Sequence, residues 1–562
     1  MDEVRRRILA VLDDASGEKC GVEDLKDSPL ADFGSPIAFK IAKRGGKSPH
    51  AIAQEIASKI KPEGIIERVS AEAGYVNFTL NAGEALKLLL SSKAAGRKPV
   101  ERIILEHTSV NPTGPVHVGR IRNTIIGDCL RRILVHAGYD VETHYFVNDV
   151  GKQVAIIASG LRKSLQPDPE LVAKYSKYSE RDDYGIFFTY VAANRLFEED
   201  MTFQAEVQSL IKAAESGDTK ILAEITSAAK KCLSGQLQTF TRLGAVFDVF
   251  DFESAGLIDG SVEEVIQKIR ADRNYVKNEV GEGLDLSGFG LGKRGGMSVL
   301  VRSDGTSVYT TRDVAYHLKK LAEGDRIINV LGEDHKLQSQ ELQTILAEVF
   351  GVKKPMEAVH FSFVSFEGVK FSTRKGEIAA VDELLDEAHA KALAEVEKRE
   401  LGDEATAKAV GVGAVKFHIV RTTPNKQITF RWGDALNFEG DSGPYVQYAH
   451  ARSCRIIEKS GVDPKKIKSM DYSVKDDEER KLILKLLAFE ESVEDAARHR
   501  RPDLVAAYLL DLTGTYGRFY MKCPVLDSPE PVRNRRLVLV GKLRDTIKTG
   551  LGLLGIEAPE RM

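Results

Sequence analysis

Apolar positions recur at helical spacing near residues 4–13 and over His50–Ile60, and they alternate with polar ones in Tyr75–Leu80. Two helices and a strand make residues 1–98 a small α+β unit, with Ser91–Arg97 reading as a linker. From Glu101 the pattern changes to an apolar strand (Ile103–Leu105), a Pro/Gly turn, a helix over His117–Ala137 and an alternating strand at Val141–Val147. That is one β-α-β unit of a doubly wound parallel sheet. Residues 160–250 are charged and helix-favouring, without strand signals, and read as an insertion. Sheet patterning resumes at Ser298–Val301, Arg326–Val330 and Ala358–Phe363, between helices near 311–323 and 336–351. Beyond Arg431 only helical periodicity remains, in Tyr445–Lys459, Glu478–Arg498, Leu504–Tyr520 and a last helix to Gly550. The expected fold is α/β: a split Rossmann-like parallel sheet over 99–430, preceded by an α+β domain (1–98) and followed by an all-α domain (431–562).

A length of 562 residues suits three or four domains at roughly 150 residues each. With 43% hydrophobic and 29% charged residues, neither disorder nor a fibrous repeat fits. The opening MDEVRRRILAVLDD has its apolar run broken by Asp13 and Asp14, which argues against a signal peptide. Cys20, Cys129, Cys232, Cys454 and Cys523 form no C-x-x-C pair, so the expected compartment is the reducing cytoplasm. Eighty Lys+Arg against 83 Asp+Glu give a net charge of −3, which removes any global argument for nucleic acid. Local basic runs remain at Lys40–Lys47, Arg498–Arg501 and Arg533–Arg536, where the alternative to phosphate contact is a solvated charged face.

The run Gly281–Gly296 contains Gly-Phe-Gly-Leu-Gly-Lys, yet Arg294 follows its lysine and a strand follows rather than precedes the run. Both orders are wrong for a phosphate loop, so a hairpin or surface loop is expected. No His-x-x-x-His pair exists, and no metal ligands are assigned. More informative is Glu106–Arg120 (EHTSVNPTGPVHVGR), which leaves a strand, turns through Pro112, Gly114 and Pro115, and sets His117 and Gly119 at a helix N-terminus suited to an anion. Taken alone, His117 reads more readily as a simple helix cap. The second segment, Lys370–Gly376 (KFSTRKG), gathers three cations and two hydroxyls after an expected hairpin over Phe361–Val369.

In this order, the two segments resemble the HIGH and KMSKS signatures of class I aminoacyl-tRNA synthetases. Glu106–Asn111, Val147–Gln153, Tyr309–Asp313, Leu331–His335 and Gly443–Arg452 narrow the resemblance to the arginyl-tRNA synthetases, particularly archaeal-type ones, across the whole chain. The resemblance implies ATP-dependent ligation of L-arginine to tRNA(Arg) through arginyl-adenylate, with activation needing tRNA. It further implies ATP with Mg²⁺ as substrate, no tightly bound cofactor, no zinc, no membrane association, and a cytoplasmic monomer.

Residue roles follow from the same resemblance. His117, Gly119, Arg120, Lys370, Ser372, Arg374 and Lys375 would carry the chemistry, and Thr108, Pro115, Asn123 and Phe371 would join His117, Gly119 and Lys370 around ATP. Arginine would meet Glu106, Ser109, Asn111, Tyr309, Asp313 and His335; a planar five-donor guanidinium calls for carboxylates and an aromatic face, and Tyr309 and Asp313 share one helix face. Tyr75 and Asn77 would touch the outer corner of tRNA, and Tyr445, Tyr448 and Arg452 its anticodon end, with Tyr508, Tyr516 and Arg518 on a neighbouring helix. The alternative for Tyr75 and for most of the C-terminal tyrosines is a place in the core.

Two departures stand out: Arg120 replaces the last histidine of HIGH, and Thr373 replaces the second lysine of KMSKS, which leaves Arg374 or Lys375 to supply that charge. A nucleotidyltransferase making a small acyl-adenylate would need neither terminal domain. A synthetase for another amino acid conflicts with Glu106 and Asp313. A non-catalytic tRNA-binding paralogue fits poorly with His117, Gly119 and the basic 370–375 segment.

Overall fold

The computed structural model describes residues 1–91, 101–291, 297–366 and 378–562. The first helix, Asp2–Ser16, buries Val4, Ile8, Leu12 and Ala15 along one stripe and carries Asp2 and Glu3 at its positive end. It belongs to a unit whose four-stranded antiparallel sheet runs β1 (Lys26–Asp27), β2 (Phe33–Ser35), β4 (Tyr75–Leu80), β3 (Ile66–Glu72). The expected strand over Tyr75–Leu80 is one of its two inner members, paired with β2 and β3.

Five parallel strands form the central sheet in the order β12 (Met356–Phe361), β11 (Arg326–Gly332), β5 (Arg102–Glu106), β6 (Asp140–Val147), β7 (Val249–Phe252). From β5 the chain winds one way to β6 and β7 and later returns to place β11 on the other side. That reversal opens a crevice at the carboxyl ends of β5 and β11, where doubly wound sheets bind ligands. The core strand β5 is apolar on both faces, with Ile103, Ile104 and Leu105 fully buried.

Several expectations need correction. The Ser298–Val301 strand does not join the parallel sheet; β10 (Met297–Arg302) pairs antiparallel with β9 (Gly281–Asp285), which pairs with β8 (Tyr275–Asn278). The glycine-rich run thus supplies one arm of a hairpin, preceded as well as followed by a strand. Glycine is needed there because a Cβ on Gly283 would sit 2.0 Å from the Ser298 carbonyl oxygen. The helical insertion ends before 250, since β7 is the edge strand of the main sheet. No hairpin occupies the described part of Phe361–Val369; β13 (Val364–Phe366) pairs in parallel with the distant β14 (Ile428–Phe430).

The helix over His117–Ala137 begins later, at Ile121, after a 3-10 turn at Val118–Arg120. Glu478–Arg498 is two helices, Asp477–Leu487 and Phe489–His499, with no Gly or Pro at the break. The first packs on Ala82–Ser91 and the second on Ile121–His136, while both pack on Asp503–Lys522. From Gly443 onward the described chain is helical, through Gly443–Ser460, Asp503–Lys522 and Glu530–Leu553. Among the described residues no helix is long and apolar enough to cross a membrane.

Candidate active site

A cavity of about 310 Å³ opens at the carboxyl ends of β5, β6 and β11. Glu106 ends β5, Phe146 lies near the end of β6, Asn329 and Gly332 come from β11, and Tyr309 and Asp313 enter from the first turns of the helix Tyr309–Glu323. Ser109, Asn111, Arg120, Asn123 and His335 complete the wall. All six residues expected to hold arginine therefore border one space.

Its acidic side is tied down from beneath. The Lys320 ammonium lies 2.5 Å from Glu106 Oε2, and His317 Nδ1 lies 3.0 Å from Asp313 Oδ1. The Tyr309 ring meets Phe146 edge-on at 6.3 Å. Ser109 donates to the Phe146 carbonyl at 3.1 Å, the Asn111 amide donates to Gln153 Oε1 at 2.9 Å, and His335 Nδ1 faces Gln338 Oε1 at 3.1 Å. Phe146, His317, Lys320, Asn329 and Gln338 went unrecognised in the sequence. Only the seven-residue helical spacing of Asp313, His317 and Lys320 could have pointed to two of them.

The turn preceding the helix Ile121–His136 is held by residues that directly follow the second motif. The Val118 N–H donates to the Ala379 carbonyl at 2.9 Å and the Val381 N–H to the Val116 carbonyl at 2.8 Å, a short antiparallel bridge centred on His117 and Ala380. The helical insertion grips the same segment. Tyr175, buried in that insertion, donates its hydroxyl to the Ile378 carbonyl at 3.2 Å and accepts the Ile378 N–H at 3.3 Å. Lys370, Phe371, Ser372, Arg374 and Lys375 lie outside the described residues.

Within the turn, His117 Nδ1 accepts the Gly119 N–H at 2.9 Å. The backbone donor expected to be open to an anion is thus used by the histidine itself. Burial, and then the charge of Arg120, push the imidazole below its ordinary pKa. Three residues expected at ATP sit deeper. Thr108, at φ 63°, is buried with its hydroxyl against Thr124 and His107, and its N–H is taken by Asn123 Oδ1 at 3.2 Å; Pro115 is buried in the turn. Of the three, only Asn123 reaches the cavity wall.

The residues expected at tRNA fall into two places. Tyr75 is 41% exposed and stacks edge-on against Phe39 at 5.2 Å, so it is no core aromatic, whereas Asn77 is buried with its Oδ1 accepting from Ser28 at 2.9 Å. In the helical domain, Arg452 lies 4.7 Å from the Tyr448 ring and 4.8 Å from the Tyr520 ring beside a cavity of about 580 Å³. Tyr445 is half-buried on the same helix, while Tyr508 and Tyr516 belong to the core. Two basic runs are largely spent on internal pairs: Arg500 on Glu357, Arg501 on Asp503, and the buried Arg535 and Arg536 on Glu479.

Comparison with known proteins agrees with this layout. Residues 85–432 match the catalytic domain of class I tRNA synthetases (R), residues 446–562 the DALR anticodon binding domain, and residues 2–80 the arginyl tRNA synthetase N terminal domain. The arginine–tRNA ligase of Methanothermobacter thermautotrophicus is 40% identical over 100% of this chain and 99% of its own length. That of Methanocaldococcus jannaschii is 37% identical over the full length of both. Among solved structures, the Thermus thermophilus arginyl-tRNA synthetase superposes with a TM-score of 0.82 at 31% identity, covering 99% of this chain and 100% of that one.

Proposed function

From the premise that the chain belongs to the arginyl-tRNA synthetases and charges tRNA with arginine through an adenylate, we propose that the cavity at the ends of β5 and β11 is its arginine subsite. Glu106 and Asp313 receive the guanidinium, Tyr309 provides an aromatic face, and Asn111 and Ser109 meet the α-amino and carboxylate groups. The observation that carries this reading is the gathering of two carboxylates and a tyrosine in one cavity whose wall includes Arg120.

Once arginine is held there, one of its carboxylate oxygens attacks the α-phosphorus of ATP in line. The bond to the β-phosphate oxygen breaks, and pyrophosphate leaves with the Mg²⁺ that ATP brings. A terminal ribose hydroxyl of tRNA then attacks the acyl carbon and AMP departs. Position and charge stabilisation are the protein's contribution. His117 donates from Nε2 to the phosphate oxygens, Arg120 adds a fixed cation, and the 370–375 segment neutralises pyrophosphate. Lys375→Ala should slow adenylate formation by at least about tenfold; an unchanged burst would remove that assignment.

Activation is taken to require tRNA, held through Tyr75 at its corner and through the Tyr445, Tyr448 and Arg452 face at its anticodon. Five unpaired cysteines support a reducing, cytoplasmic setting, and the chain is taken to act as a monomer. The test is ATP–pyrophosphate exchange with each of the twenty amino acids, with and without tRNA. Exchange with arginine alone, and only when tRNA is present, is expected. Exchange with another amino acid, or with none, would overturn the reading.

A further inference from the structure

Lys320 is fully buried beneath the cavity, and its ammonium has three protons and three acceptors: Glu106 Oε2 at 2.5 Å, Asn329 Oδ1 at 3.1 Å and His317 Nε2 at 3.2 Å. The Tyr316 ring lies 4.3 Å from the ammonium. A cation directly under a site for a cation is unexpected, because its Coulomb effect on a guanidinium is repulsive.

The hydrogen bonds give the reason. Lys320 can only donate, and the Asn329 amide also donates to His317 Nε2 at 2.8 Å, so the imidazole proton sits on Nδ1. From there it points at Asp313, at 3.0 Å from Oδ1 and 2.9 Å from the carbonyl. One oxygen of each carboxylate, Glu106 Oε2 and Asp313 Oδ1, is therefore fixed from below, leaving the other for a ligand in the cavity. Glu106, Asp313 and Lys320 together carry one net negative charge, matched to one guanidinium, with Arg120 elsewhere on the wall.

We propose that Lys320 is a positioning residue for arginine recognition, which orients Glu106 directly, supports with Asn329 the His317 tautomer that faces Asp313, and offsets one of the two negative charges of this carboxylate pair. The proposal rests on the reading of Glu106 and Asp313 as the guanidinium partners. Lys320 touches no substrate and acts only through these carboxylates.

The test is a double-mutant cycle with Lys320→Met, Glu106→Gln and the two combined, reading KM for arginine, KM for ATP and kcat in tRNA-dependent exchange. Lys320→Met should raise the arginine KM about tenfold or more, and leave the ATP KM and kcat within about threefold. In the Glu106→Gln background, the same substitution should add less than about threefold. The doubly substituted protein loses both buried charges together, so it folds even where Lys320→Met alone strands a carboxylate. An unchanged arginine KM in folded Lys320→Met, or a full further loss on top of Glu106→Gln, would overturn the proposal. Failure of the underlying pocket reading looks different: Glu106→Gln alone would then leave the arginine KM unchanged.

Discussion

His117 takes the N–H of Gly119 on its Nδ1 at 2.9 Å, within the same turn. The acceptor role fixes the neutral tautomer, with the proton on Nε2, the atom assigned to phosphate in the proposed function. Adding a proton at Nδ1 would break that bond and set a second cation beside Arg120.

The pH dependence follows from the depressed pKa. Because burial and Arg120 hold it below the ordinary 6.5, the neutral ring persists at pH 6.5 and is lost only as pH falls through the lower value. Arg120→Gln removes the second cause and keeps the first. The acid limb of kcat/KM for ATP should move up towards 6.5 without reaching it. A profile from about pH 5 to about pH 8 measures this; a limb that does not move would show that Arg120 exerts no field on the ring.

Arg122, two residues beyond Arg120, makes a stability prediction. It is fully buried and donates to the carbonyls of Ser362, Lys426 and Thr423 at 2.5, 2.7 and 2.9 Å, with Thr422 at 3.5 Å. None of these partners is a carboxylate, and burial pushes the guanidinium down to about 10. The carbonyls belong to the link between β12 and β13 and to the turn before β14, so Arg122 ties both to the helix Ile121–His136. Arg122→Met strands them, and urea unfolding should report a loss of about 3–5 kcal/mol. A loss below about 1 kcal/mol would mean that water replaces the guanidinium at no cost.

These tertiary ties also explain what could be read from the sequence. Strand β5 was legible because a core strand must be apolar over its length, β6 by its alternation, and Tyr309 with Asp313 because one helical turn sets them on one face. The start of the helix at Ile121 was not. Val116–Val118 is drawn into extended pairing with Ala379–Val381, some 260 residues away in the chain, a partner that no local pattern announces. Lys320 was hidden for the same reason: on its helix it is one of two adjacent lysines, and only the approach of β5 makes it the partner of Glu106.

Tyr75 and Asn77 stand on the same face of β4 but make separable predictions. The Tyr75 ring is exposed beside Phe39, so the proposed stacking on an unpaired base can be tested without disturbing the core. Tyr75→Ala should raise the tRNA KM by an amount equivalent to about 1–3 kcal/mol and leave the melting temperature unchanged, while Tyr75→Phe should behave as the parent. Asn77 is buried against Ser28, so Asn77→Ala should lower the melting temperature as well. Steady-state aminoacylation with thermal melts separates the two, and a stable Asn77→Ala protein with a raised tRNA KM would put the amide directly on the base.

Arg452 offers the sharpest test in the helical domain. Its guanidinium lies against two rings, Tyr448 and Tyr520, and donates to the Tyr448 hydroxyl at 3.1 Å, so it is held as a flat, preorganised surface. A base stacking on that surface needs the plane, whereas a phosphate needs only the charge. Arg452→Lys keeps the charge and loses the plane. If the surface stacks a base, Arg452→Lys and Arg452→Ala should weaken tRNA binding equally, by about 1–2 kcal/mol, and the lysine variant should keep the parent's slope of log affinity against log salt. A lysine variant that binds as the parent does, with only the alanine variant showing a shallower slope, would assign Arg452 to a phosphate instead.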